Sequence, residues 1–177
     1  MADISAIFFI ILIIGVAYPA LLTAWWLLFP AVVDRARLRL ERTPGRSFWM
    51  GLAAFFAFLF PILILLALPS GLFKFFGWVM IATMLSFSSL GAAGLAARFA
   101  ERINRLGSFS PLGAHVRGAV VIELASFFPI LGWFVFFPIA TVTTLGAAAF
   151  AVMHWMPRPA PLAESPSAPV QSPAANH

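Results

Sequence analysis

The sequence predicts an all-α fold: a polytopic integral membrane helical bundle of five spans, the last two forming a Pro-Gly hairpin, with four spans as the alternative. Three observations carry that prediction. Residues 4–33, 47–73, 75–97 and 124–153 contain no Asp, Glu, Lys or Arg, and each run is long enough for the roughly 20 apolar residues that cross a ~30 Å hydrocarbon layer. Charged residues make up 10% of the chain, against roughly 25% in soluble domains. Finally, the basic residues are clustered: Arg35, Arg37, Arg39, Arg42 and Arg46 form one group, and Arg98, Arg102, Arg105 and Arg117 the other. Cytoplasmic loops retain Lys and Arg in this way.

Span one covers about residues 4–29. No basic residue precedes it and it is longer than the 7–15 residues of a signal-peptide core, so it reads as a retained span. The five arginines that follow place residues 31–47 in the cytoplasm and the N-terminus, with Asp3, outside. Pro19 is expected to kink this helix, and Trp25 and Trp26 fall at the cytoplasmic headgroup level. Between Ala31 and Arg42, apolar Val33, Leu38 and Leu40 alternate with arginines, which predicts a short helix lying on the headgroups.

Span two, about 48–68, ends at the turn signal Leu68-Pro69-Ser70-Gly71. Span three, about 75–99, continues into a cytoplasmic extension over Ala97–Leu106. Its second half carries Ser88, Ala92 and Ala96, with Ala93 and Ala97, at four-residue spacing. Small residues so spaced let another helix backbone approach closely. Two readings stand: internal packing of the bundle, or a seam between two copies. Leu90 is read as lipid-facing.

The block from Gly118 to Met153 is too long for one span; as a continuous helix it would reach roughly 50 Å. Phe128-Pro129-Ile130-Leu131-Gly132-Trp133 marks a break, because the residue before Pro avoids helical geometry and Gly accepts a turn. The predicted hairpin has span four at about 112–128 and span five at about 133–155. It places all six tryptophans near an interface, whereas four spans leave Trp133 near mid-bilayer. Pro138 then falls in the second turn of span five and should bend it. Residues 156–177, rich in Pro, Ala and Ser, are expected to be a disordered cytoplasmic tail, either bland or a docking segment.

The inventory for chemistry is nearly empty. His115, His154 and His177 have no metal-site spacing, Cys is absent, and no nucleotide, zinc or serine motif occurs. The sequence therefore predicts no enzyme and no cofactor. His115 and His154 are placed at the interface. The +5 net charge is an electrostatic footprint without a nucleic-acid recognition motif. It reads instead as attraction to anionic headgroups, with Arg35, Arg37, Arg39, Arg42, Arg98, Arg102 and Arg105 as the lipid or partner surface. Glu123 is the one intramembrane acid, roughly 9 Å inside Arg117 at 1.5 Å per residue. Such residues default to functional hypotheses. A proton or cation pathway competes with a structural carboxylate that is protonated by desolvation or paired with Arg98 or Arg102.

The order Pro44-Gly45-Arg46-Ser47-Phe48-Trp49-Met50-Gly51, a Pro-turn hairpin, Gly91-Ala92-Ala93-Gly94, Gly118, Pro129, Gly132-Trp133 and Gly146-Ala147 resembles the small multi-span bacterial membrane module fused to or alongside bactofilin-type polymer-forming proteins. Span one and Glu123 depart from that pattern, and no polymer-forming domain is present. The resemblance implies a bacterial inner-membrane protein partnered with a cytoskeletal or envelope assembly. The expected function is a non-enzymatic structural or accessory one, docking to other membrane subunits. Alternatives are a subunit of an energy-transducing or photosynthetic complex, marked by bound pigment, quinone or lipid, and a small channel or transporter.

Overall fold

In a computed structural model, which describes residues 2–155, the described chain forms six α-helices: α1 (Ala2–Leu28), α2 (Pro30–Arg42), α3 (Pro44–Ala67), α4 (Gly71–Asn104), α5 (Pro111–Phe127) and α6 (Phe137–Val152), the last preceded by a π-helical turn, Gly132–Phe136. The predicted tail from residue 156 lies outside the described residues. By length and apolarity α3, α4 and Gly132–Val152 can each cross a membrane. Gly15–Leu28 with Pro30–Arg42, bent by 109°, is a fourth candidate. With its 17 residues, α5 extends about 25 Å, short of a ~30 Å layer. Three to four such helices stand where the sequence predicted five spans.

Prolines punctuate this architecture without always breaking it. Pro30, Pro44 and Pro111 each occupy a first helical turn, where the absent N–H leaves nothing unpaired. Ser110 adds a side-chain cap by accepting from the Gly113 N–H at 3.2 Å. Within α1 the helix continues through Pro19, and Thr23 Oγ1 donates to the Pro19 carbonyl at 2.7 Å. Around Pro138 the strain is absorbed upstream instead. The π turn, with Phe137 N–H on the Gly132 carbonyl five residues back, supplies the register change that lets a proline enter. At its far end α6 is closed by Trp155 N–H on the Phe150 carbonyl across His154, whose φ is 58°, a Schellman closure made without glycine.

Helix pairs meet through small residues. Gly146 of α6 sits between Ser47 and Gly51 of α3, and Gly51 in turn faces Val142 and Gly146, so the two helices run antiparallel with backbones in contact. Gly91 of α4 meets the Thr144 backbone, Gly118 of α5 meets Ala96, and Gly94 meets Ala36 of α2. A Cβ at Gly51, Gly91 or Gly146 would overlap a neighbouring carbonyl. Around these contacts lie two apolar clusters: Leu22, Val33, Leu90, Ala92, Ala93, Ala96, Ala119 and Ile122 in one, Ala36, Leu40, Ala147 and Ala151 in the other. Leu90 belongs to the first and is 9% exposed. Its expected lipid-facing position is thus corrected: a face four helices share is wider than one small-residue stripe.

The amphipathic α2 lies across α4 and α6, burying Val33, Ala36 and Leu40. That stripe follows the helical repeat. The alternation read from Val33, Leu38 and Leu40 missed Ala36, and Leu38 is only half-buried.

Candidate functional site

The most unusual group in the apolar interior is the Glu123 carboxyl. Glu123 is 5% exposed on α5, and its Oε1 has no hydrogen-bond partner. The two arginines offered as partners are occupied or turned away. Arg98 Nη1 donates to the Leu40 carbonyl at 2.7 Å, and Arg102 is exposed. What Glu123 meets is α1: a Cβ on Gly15 would lie 3.7 Å from Oε1. Pro19 has no N–H to offer the Gly15 carbonyl, and the missing Cβ at Gly15 leaves room beside the carboxyl.

Glu123 lines a cavity of about 350 Å³ with Tyr18 of α1, Ser126 and Phe127 of α5, Trp133 of the π turn and Phe137 of α6. The cavity exists because α1 packs on α4 and α5 while α6 packs on α3 and α4, leaving a gap between α1 and α6. The mouth is aromatic: Trp133 and Phe137 are 65% and 56% exposed. Ser126 Oγ donates to the Ile122 carbonyl at 2.9 Å, which leaves its lone pairs free to accept. Tyr18 and Phe137 also line a neighbouring cavity of about 260 Å³ with Ser86, Ser88, Ser89 and Thr141.

Sequence reasoning missed Tyr18 and the packing around His115. Tyr18 is the single tyrosine, one helical turn after Gly15, a signal available but unread. His115, expected at the interface, is 1% exposed between α1 and α5. Its ring stacks on Trp26 at 4.9 Å between centroids, Nε2 lies 3.4 Å from the Leu22 carbonyl, and Nδ1 has no partner. The tryptophans of α1 are likewise turned inward, with Trp25 Nε1 donating to Ser89 Oγ at 2.9 Å. Among the described residues no group of three His, Cys, Asp or Glu could hold a metal.

The stripe of Ser88, Ala92, Ala93, Ala96 and Ala97 on α4 packs against other helices of the same chain. Ser88 Oγ reaches the Thr141 carbonyl and Thr144 Oγ1, both at 3.3 Å. Ala92, Ala93 and Ala96 are buried, and Ala97 is half-buried. Thr143 and Thr144 bond to carbonyls one turn back.

The arginines divide into two sets. Arg39 is 6% exposed over the Phe150 ring at 4.3 Å; burial, with Arg46 nearby, lowers its pKa from the ordinary guanidinium value. Arg37 joins α2 to α4 through Glu101 and pairs within α2 with Asp34. Arg98 ties the same helices, and Arg35 is half-buried. Only Arg42, Arg102 and Arg105 of the predicted surface are exposed. Arg46 and Arg117 join them, Arg117 lying 3.9 Å over the Phe109 ring. No family model matches the sequence, and no curated protein or solved structure shows significant similarity to it.

Proposed function

We propose that the chain is a non-enzymatic accessory protein of a bacterial inner membrane. It crosses the bilayer five times with the N-terminus outside and presents a basic cytoplasmic face to a larger membrane or envelope assembly. In this reading α5 is the fourth span, its 17 residues extended by the Phe128–Leu131 turn, and the resemblance to the bactofilin-associated module names the class of assembly. One observation carries the proposal: the exposed Arg42, Arg46, Arg102 and Arg105 lie where α2, α3 and α4 begin or end, the helices that Arg37 and Arg98 tie together include α2 and α4, and Arg117 is exposed two turns into α5. Internal structure consumes the other arginines and the small-residue face of α4. Docking therefore falls to the exposed cations and the apolar perimeter.

The test is crosslinking in native membranes followed by mild solubilisation. Wild type is expected to recover a membrane or polymer-forming partner, and Arg102→Ala with Arg105→Ala to lose it while inserting normally. Weakened binding to anionic vesicles alone, at about 1 kcal/mol per arginine, identifies lipid as the ligand. Recovery of the partner unchanged in the double variant contradicts the proposal. A second reading, a subunit of an energy-transducing complex, is favoured by the unpaired Glu123 in its cavity.

A further inference from the structure

We propose that the cavity between α1, α5 and α6 is a binding site for a quinone-type molecule: neutral, dissolved in the hydrocarbon layer, with a flat ring bearing hydroxyl or carbonyl oxygens and an apolar tail. The inference rests on these helices lying in the membrane, which topology labelling tests separately. It follows from four properties of the cleft. Its volume, about 350 Å³, falls at the lower end of small-molecule sites and suits a ring rather than a whole lipid. Phe127, Trp133 and Phe137 line it, and aromatic faces pack best on another flat ring, in offset or edge geometry.

The third property is the unpartnered Glu123 oxygen, 95% withdrawn from solvent by its 5% exposure. A buried polar group without a partner costs roughly 1–3 kcal/mol, so a ligand that completes its hydrogen bonding recovers that penalty. As a carboxylate Glu123 accepts from a quinol hydroxyl; as an acid it donates to a quinone carbonyl. Ser126 and Tyr18 add further oxygens on the same lining.

The fourth property is the absence of a countercharge among the lining residues. An anionic headgroup would meet Glu123 with no cation to offset it, and a cation would have to pass the exposed Trp133 and Phe137 rings without water. A neutral ring entering from the hydrocarbon, with its tail left among the lipids, avoids both costs.

The experiment uses the full chain in nanodiscs, with empty nanodiscs of the same lipid as the partition control. Decylubiquinone is the probe, read by tryptophan quenching and by equilibrium partition. Wild type is expected to bind saturably near one per chain, with the melting temperature raised. Ser126→Phe, by filling the cleft, and Glu123→Leu, by removing one hydrogen bond to a chargeable group, should each weaken binding about tenfold or more. Ile64→Ala, exposed on α3, should bind as wild type. Glu123→Gln, nearly isosteric, checks the case in which the leucine variant does not fold; its amide still donates to the quinone carbonyl but as a weaker donor than a carboxylic acid, so it should weaken binding by less than Glu123→Leu. Partition equal to empty nanodiscs overturns the site. So does saturable binding that Ser126→Phe and Glu123→Gln leave unchanged.

Discussion

The α3–α4–α6 seam and the α1–α5–α6 cleft solve the same packing problem in opposite ways. At the seam Gly51, Gly91 and Gly146 put backbone against backbone, leaving no room for a methyl group. Its hydroxyls, Ser88 and Thr144, bond within the protein. At the cleft α1 and α6 pack on different neighbours, aromatic rings line the gap between them, and a carboxyl oxygen is left without a partner. Lipid tails are as apolar as leucine, so close van der Waals packing rather than hydrophobic burial holds membrane helices together. The seam therefore carries the stability, and the cleft is where the chain can give up packing for another use.

The largest expected effect is at the seam. Gly51→Leu or Gly146→Leu must push α3 and α6 apart along their contact, and a cost of at least about 3 kcal/mol, the upper end for overpacking, should abolish the monodisperse folded protein in size-exclusion chromatography. Preserved melting behaviour would remove the seam as the stabilising element.

Next in size is the α4 face. Ala92→Leu or Ala96→Leu should lower stability by about 1–3 kcal/mol, while Leu85→Ala, at a residue 54% exposed, should change it little. Leu90 cannot serve as that control because it is buried. Equal detergent denaturation midpoints for all three variants would erase the distinction between packed and lipid-facing positions.

The smallest effect on the fold belongs to the cleft. Glu123→Gln keeps size and much of the hydrogen-bonding capacity, so it should leave folding and insertion intact and change stability by about 1 kcal/mol or less, the net worth of one hydrogen bond. No proton or ion flux is expected in vesicles from either form, since the described residues that line the cleft include no second acid to relay a proton. Flux that disappears with Glu123→Gln would turn the cleft into a transport path.

The two regions were unequally legible in the sequence. Ser88, Ala92 and Ala96 announced a close-approach face, because a four-residue period on a helix is a local property. Their partners, Gly51 and Gly146, looked only like turn or small-residue signals, since which helices meet is decided by tertiary packing. The Phe128–Leu131 break was readable from Pro129 and Gly132. Its π turn was not, because that register change depends on how Pro138 is accommodated. Glu123 stood out as a lone acid, yet its neighbours Gly15 and Tyr18 lie on the first helix, and nothing local links them. Sorting the arginines into buried ties and exposed cations needed the helical stripe Val33, Ala36, Leu40, which the alternating charges obscured.

Single cysteines in this chain without native cysteine test the proposed arrangement most directly, through labelling by an impermeant thiol reagent in intact cells. Cysteines at Ser70 on the α3–α4 turn, Ser110 before α5 and Ser167 sample both predicted sides. The account predicts labelling of Ser70→Cys in intact cells, and of Ser110→Cys and Ser167→Cys only after the membrane is opened. Labelling of Ser167→Cys in intact cells would contradict five spans, and labelling of Ser110→Cys would contradict a cytoplasmic arginine face.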